Sequence, residues 1–155
     1  MQSERIEKIR LVRKLFVIAA TAVSIAVLLI AIKSQKHYTA ITIGSQVINV
    51  EIANTSQKRE HGLCCRESLP ADQGMLFVYK SPGDYRFWMK DTQIPLDMFW
   101  IDSDKRIVHI ERNVQPSSYP QSYGTKTPAQ YVLETNAGFA DKFQIKNRDI
   151  VAFGL

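Results

Sequence analysis

Hydrophobic and polar residues alternate along this chain in short bursts, with one long exception near its start. From Leu15 to Ile32 the sequence reads LFVIAATAVSIAVLLIAI, without a charge and with Thr21 and Ser24 as its only polar residues. As a helix these eighteen residues would rise about 27 Å, close to the thickness of a bilayer's hydrocarbon core. A helix lying on a soluble domain carries a polar stripe, and this segment has none. A buried core helix and a cleaved signal peptide are the alternatives. A signal peptide's apolar region is usually shorter, roughly 7–15 residues, and ends in small residues suited to cleavage. Here Lys33, Gln35, Lys36, His37 and Tyr38 follow instead. The expectation is an uncleaved transmembrane signal anchor over 15–32, with a basic segment 1–14 before it and a polar linker 33–38 after it. Arg5, Lys8, Arg10, Arg13 and Lys14 precede the block and only Lys33 and Lys36 closely follow it. The positive-inside rule then keeps the N-terminus in the cytoplasm and exports residues 39–155.

The remaining apolar runs are short and read as strands. Ile41, Ile43, Val47, Val50 and Ile52 flank Gly44-Ser45 as a hairpin. Asn54-Thr55-Ser56 offers a helix N-cap, and the helix would pass through Lys58-Arg59-Glu60 and stop at Gly62. Strands are expected at Met75–Tyr79, Tyr85–Met89, Leu96–Ile101, Ile107–Glu111, Gln130–Glu134 and Ile150–Phe153, with a turn at Ser81-Pro82-Gly83-Asp84. Asn136 would cap a second short helix ending at Phe143. Several strands are apolar on both faces, Met75-Leu76-Phe77-Val78 among them, so the sheet must be covered on both sides. The fold expected is mainly β with two short helices, a small closed or strongly curled β-barrel-like domain behind one N-terminal transmembrane helix. One connection is long: Asn113 to Ala129 reads NVQPSSYPQSYGTKTPA. Structureless loops beyond roughly 12–15 residues are usually functional or disordered, and the tyrosines and prolines here point to a loop that makes contacts.

Charge adds to the topology and little else. Residues 1–14 hold five basic and two acidic groups, and residues 33–155 hold fifteen and thirteen. The excess is thus concentrated ahead of the apolar block. No basic stripe with interleaved aromatics marks a nucleic-acid surface, so no nucleic-acid partner is expected. Cys64 and Cys65 are the only cysteines. Adjacent cysteines close no ordinary loop. They read first as two small buried hydrophobes, with a vicinal disulfide as the alternative in an oxidising compartment.

The segment Phe87-Trp88-Met89-Lys90-Asp91-Thr92-Gln93-Ile94-Pro95-Leu96-Asp97-Met98 carries the densest chemistry. Strand alternation puts Tyr85, Phe87 and Met89 on one, core-like face. Arg86, Trp88 and Lys90 fall on the other, an aromatic plate between two cations that suits a carboxylate, phosphate or sugar-like ligand. The competing reading is a Trp half-covered by the stems of basic side chains. Asp91-Thr92 ends the strand, and Ile94-Pro95 forces an extended bend. Asp97 then opens an otherwise apolar strand and must bond to a backbone amide, to Lys90 or to Arg66. A structural carboxylate and a ligand contact both stay open for it.

These residues resemble the domain of unknown function 192 family. Arg59-Glu60-His61-Gly62-Leu63 is similar to its R-x-x-G-L element, Arg66-Glu67-Ser68-Leu69 to an R-x-x-L, and Gly74-Met75-Leu76-Phe77-Val78 to G-M-L-F-V. Trp88 through Met98 resembles W-M-K/R-N-T-x-I-P-L-D-M, with Asp91 where asparagine is common, and Val132-Leu133-Glu134 resembles V-L-E. A final glycine-aspartate turn is altered here to Arg148-Asp149. The resemblance spans roughly 47–151. It implies a compact, β-rich, often exported domain and carries over no accepted catalytic residue.

His37, His61 and His109 show no metal-ligand spacing, no nucleophile has an assignable base, and no glycine-rich phosphate loop is present. No metal and no cofactor are expected. The favoured reading is a membrane-tethered binding module for an anionic or carbohydrate envelope ligand or a partner protein. Its candidate site is Arg66, Trp88, Lys90, Asp91, Asp97 and Glu134, lidded by the loop at 115–128. The alternatives are a small envelope hydrolase using Asp97 or Glu134 with Lys90, and a structural accessory of a membrane complex.

Overall fold

Gly44, in the left-handed region at φ 57°, turns the chain between strands β1 (Tyr38–Ile43) and β2 (Gln46–Ala53) in the computed structural model, which describes residues 2–33 and 37–154. Two units are present, residues up to Lys36 and His37–Leu155. The first is one helix, α1 (Gln2–Lys33). All its charged residues but Lys33 lie in the first half, and Leu15, Phe16, Val17, Ile18, Val23 and Ile25 are exposed. Among the described residues, no helix is long and apolar enough to cross a membrane. The side chains of residues 26–32, the second part of the expected span, lie outside the described ones. The structure therefore gives the helix and not the span.

The second unit is a strongly curled seven-stranded sheet. Helix α2 (Ser56–His61) links β2 to β3 (Gln73–Gly83). Then come β4 (Phe87–Trp88), β5 (Leu96–Ile101), β6 (Ile107–Val114), β7 (Ser122–Tyr123), β8 (Ala129–Asn136), helix α3 (Phe139–Lys142) and β9 (Val151–Ala152). The order across the sheet is β6-β5-β8-β3-β2-β1-β9. Among the described strands only β2 and β3 pair in parallel, because a helix-bearing crossover joins them. The curl brings the two ends of the sheet near each other: Arg106 bridges Ile150, and the N–H of Val151, which pairs with Ile43 of β1, donates to the Lys105 carbonyl at 2.9 Å.

Both faces of the sheet are covered, as the doubly apolar strands require. Leu76, Phe99, Ile101 and Leu133 pack with Phe139 and Ala140 of α3 in one cluster. Phe77, Met98, Trp100 and Val132 pack with Leu63 and Phe87 in the other. At Gly74 the two central strands come very close: a Cβ there would sit 2.5 Å from the Glu134 carbonyl oxygen, so only glycine fits.

Four expectations need correction. The strand expected at Tyr85–Met89 shrinks to β4, since its partner is the two-residue β7 of the long loop and not a strand of the main sheet. The turn expected at 81–84 is instead the irregular end of β3, where the register with β8 shifts between Val78 and Gly83. Asn136 does not cap α3; its amide donates to the Leu69 and Pro70 carbonyls, and Gly138 stands at the cap with no side chain to offer. Cys64 and Cys65 are not buried hydrophobes. They form a disulfide with Cys65 exposed, because the chain turns out of α2 there: Cys64 N–H donates to His61 and Cys65 N–H, at φ 64°, to the Asp91 carbonyl.

Candidate functional site

Strand β4 divides its side chains as alternation demands. Phe87 and Met89 are buried, while Arg86, Trp88 and Lys90 face outward. Phe87 is held edge-on by Phe77 and Trp100, at 4.8 and 5.9 Å between ring centres, and the Trp100 indole donates to the Tyr85 carbonyl at 2.8 Å. The outward face meets the long loop. Trp88 pairs with Ser122 across the β4–β7 ladder, Arg86 donates to the Ser122 hydroxyl and carbonyl at 3.1 and 2.9 Å, and Tyr119 stands edge-on to Trp88 at 6.3 Å. The loop thus lies against this face, with Trp88 still 57% exposed. The turn after β4 needs a left-handed residue at Asp91 (φ 55°), a region that asparagine and aspartate tolerate better than other side chains.

Behind Trp88 lies a cavity of about 120 Å³. Leu63, Phe77 and Phe87 form its apolar wall, and Arg59, Arg86 and Lys90 bring three cations to it. Gly62 ends α2 at φ 55°, where a Cβ would lie 3.5 Å from the Phe77 ring. Arg59 donates to the Val78 carbonyl at 3.1 Å and lies 5.0 Å from the centre of the Tyr79 ring, which stacks on Tyr85 at 3.4 Å. Burial pushes the Tyr79 hydroxyl up to about 12, so it stays a neutral donor. A shallower hollow of about 330 Å³ shares Glu60, His61, Trp88 and Lys90 with the cavity and adds Gln57, Cys64 and Asp91. No ion pair joins the Lys90 ammonium to a described residue.

Glu134 also lines the inner cavity and is only 4% exposed. No hydrogen bond or ion pair from a described residue reaches its carboxyl. Burial raises that carboxyl to about 8, opposed from a distance by the Arg66 charge. Glu134 is accordingly a protonated acid at neutral pH, with a proton to donate. Arg66 does not enter the cavity, because its guanidinium is committed to Glu51 by two bonds of 2.6 and 2.8 Å.

Of the six residues expected at the site, Trp88, Lys90 and Glu134 meet in the inner cavity and Asp91 lines the outer hollow. Arg66 and Asp97 stand apart. Asp97 is fully buried, with one carboxylate oxygen accepting from Asn113 N–H and the other from Ala140 N–H, both at 2.8 Å. It pairs in register with Thr135, the neighbour of Glu134, so the two carboxyl groups lie on opposite faces of the sheet. Asp97 does from across the fold what Gly138 cannot: it caps α3. Arg59 and Tyr79 belong to the cavity and were not anticipated. The signal available for Arg59 was its place in the R-x-x-G-L element, and for Tyr79 none beyond its strand.

The chain belongs to the domain of unknown function 192 family (DUF192), described as "Uncharacterized ACR", whose profile matches residues 39–153. It is similar to a Sinorhizobium meliloti 1021 crystal structure described as a candidate transcription regulator, with 31% identity and a TM-score of 0.73, over 77% of this chain and 95% of that one. A Novosphingobium aromaticivorans DSM 12444 protein of unknown function is similar to the same degree, 31% and 0.73, over 77% and 88%. No curated protein matches the chain.

Proposed function

We propose that residues 39–155 form a binding module for an anionic or carbohydrate ligand of the cell envelope, with α1 tethering the module to the membrane. One observation carries the reading: a buried carboxyl without a described partner ends a cavity lined by Arg59, Arg86 and Lys90, with exposed Trp88 at its mouth. The Glu134 carboxyl faces this cavity, where a ligand group can take the place of water on it. The cations draw in negative charge, and an exposed indole suits the face of a sugar ring. The tether is supported by the uncharged run Leu15–Ile32 and its basic flank. The hydrolase reading loses Asp97, which faces the side of the sheet away from Glu134 and Lys90.

Soluble envelope fragments titrated into the full chain should shift the emission of Trp88, with the fully buried Trp100 replaced by Phe to remove its background. Lys90→Ala should weaken capture at least tenfold without lowering the unfolding midpoint. If no fragment moves the emission and Lys90→Ala is silent in cells, the structural-accessory reading replaces this one. A reporter fused after Leu155 tests the tether, which requires activity from an export-dependent reporter.

A further inference from the structure

We infer that the cleft recognises the carboxylate of an acidic carbohydrate: the Glu134 carboxyl donates a hydrogen bond to it, Lys90 supplies the opposing charge, and Trp88 underlies the sugar ring. The inference rests on the binding reading above and deepens it, naming the ligand class and the group that selects it.

The argument starts from what the cavity can and cannot satisfy. A neutral carboxyl offers one O–H donor as well as acceptor oxygens. Its own strand, β8, gives it no partner: of its same-face neighbours, Val132 is apolar and buried, and the Asn136 amide is turned to the Leu69 and Pro70 carbonyls. Across the sheet it faces Met75 of β3 and Met98 of β5, which are also apolar. Charged and titratable groups reach it from elsewhere. Arg59, Glu60 and His61 come from α2, Tyr79 from β3, and Arg86 and Lys90 from around β4, all lining the same cavity. Arg66 acts through space from the Glu51 pair. Arg59, Arg86 and Lys90 outnumber Glu60 along this lining, so its charge is on balance positive.

A ligand group that fits must therefore accept a hydrogen bond and carry negative charge. Phosphate and sulfate meet both demands, but each needs several donors aimed together. Here Arg86 is turned to Ser122 and Arg59 to Val78, which leaves Lys90 as the cation of this lining with no hydrogen bond or ion pair to a described residue. A carboxylate needs less: one charge-assisted O–H···O⁻ bond from Glu134 and one ammonium. The space agrees. The inner cavity of about 120 Å³ takes a carboxylate and its carbon, and the outer hollow of about 330 Å³, floored by Trp88, takes the ring. A simple carboxylic acid would leave the Trp88 face uncovered, and a neutral sugar would make no use of the Lys90 charge.

The donor survives only while Glu134 keeps its proton. With its carboxyl held at about 8, the protonated fraction falls about tenfold between pH 7 and pH 9, and a second negative charge then faces the ligand. Tyr79, at about 12, does not titrate there.

The experiment is calorimetric titration of the full chain at pH 7 and pH 9 with D-glucuronic acid, N-acetylmuramic acid, glucose and acetate. The two acidic sugars separate a uronate source from a lactyl-bearing one, and binding of either supports the inference. The expected result is tighter binding of an acidic sugar than of glucose or acetate, weakened about tenfold at pH 9. Glu134→Gln keeps a neutral donor and should retain binding within a few-fold while losing the pH dependence. Trp88→Ala should weaken the sugar and leave acetate unchanged. Equal affinity for acetate or glucose overturns the ligand class. An unchanged pH slope in Glu134→Gln overturns the role of Glu134, and binding of neither acidic sugar overturns both. If envelope fragments bind in a Lys90-dependent manner while these sugars do not, the inference fails and the binding reading stands.

Discussion

Replacing Asp97 with alanine removes both acceptors of two backbone donors that lie far apart in the sequence. Each bond is 2.8 Å long, and each runs from a neutral amide to a side chain that is fully buried. Hydrogen bonds to a charged group contribute roughly 1.5–3 kcal/mol each. The two losses differ: Asn113 is exposed enough for water to take over, whereas Ala140 is buried in the first turn of α3. A cost of about 3–5 kcal/mol follows, with the larger share from α3. For a domain of this size that lowers the melting temperature by roughly 10–20 °C. Urea unfolding followed by tryptophan emission measures it, since Trp88 and Trp100 both lie in the sheet domain. Asp97→Asn keeps one acceptor and should fall between the two. Ligand capture by the folded fraction of Asp97→Ala should be unchanged. A loss below about 1 kcal/mol, or a loss of capture at unchanged stability, would refute the assignment of Asp97 to structure.

Glu134 should make stability fall as pH rises: its folded pKa of about 8 lies above its ordinary value of 4.5, so the native state holds a proton that the unfolded state has released. The contribution is complete below about 4.5 and lost by about 8, and Glu134→Gln should flatten the slope of unfolding free energy across that window. Gly74→Ala should cost more than about 2 kcal/mol in the same urea assay, because its Cβ would meet a carbonyl of the neighbouring strand that cannot step aside. Arg148→Gly should stabilise by about 1 kcal/mol, since Arg148 sits at φ 77° where glycine carries no side-chain penalty; destabilisation would mean that the arginine side chain matters more than its backbone. A chain beginning at His37 should fold cooperatively with a strand-rich circular dichroism spectrum, and a mainly helical spectrum would contradict the architecture.

The local signals read correctly where one element decided the outcome. The hairpin around Gly44-Ser45, the stop of α2 at Gly62 and the split of Arg86, Trp88 and Lys90 from Phe87 and Met89 all follow from turn chemistry or strand alternation. What the sequence left open depends on distant partners. Whether Asp97 and Glu134 cooperate turns on β5–β8 register, which neither strand reveals alone. Strands β4 and β7 pair over two residues each, too short for any periodicity to appear. Arg66 looked available only because Glu51, fifteen residues earlier, is unremarkable in sequence. The left-handed backbone at Asp91 and Arg148 accounts for the asparagine and glycine expected at those positions.

The two-sided burial of β8 makes reading frame within the strand a determinant of chemistry. Leu133 and Thr135 face the α3 side, and Val132 and Glu134 face the cavity. Inserting or deleting one residue ahead of Val132 would turn Leu133 into the cavity and drive the Glu134 carboxyl against Phe139 and Ala140. Even a variant that kept all seven strands would then have lost its acid from the cleft and gained an uncompensated one in the opposite core. Strand β8 should therefore tolerate substitution far better than any change in length, and related chains that keep the cleft should vary in length at the loops on either side of it.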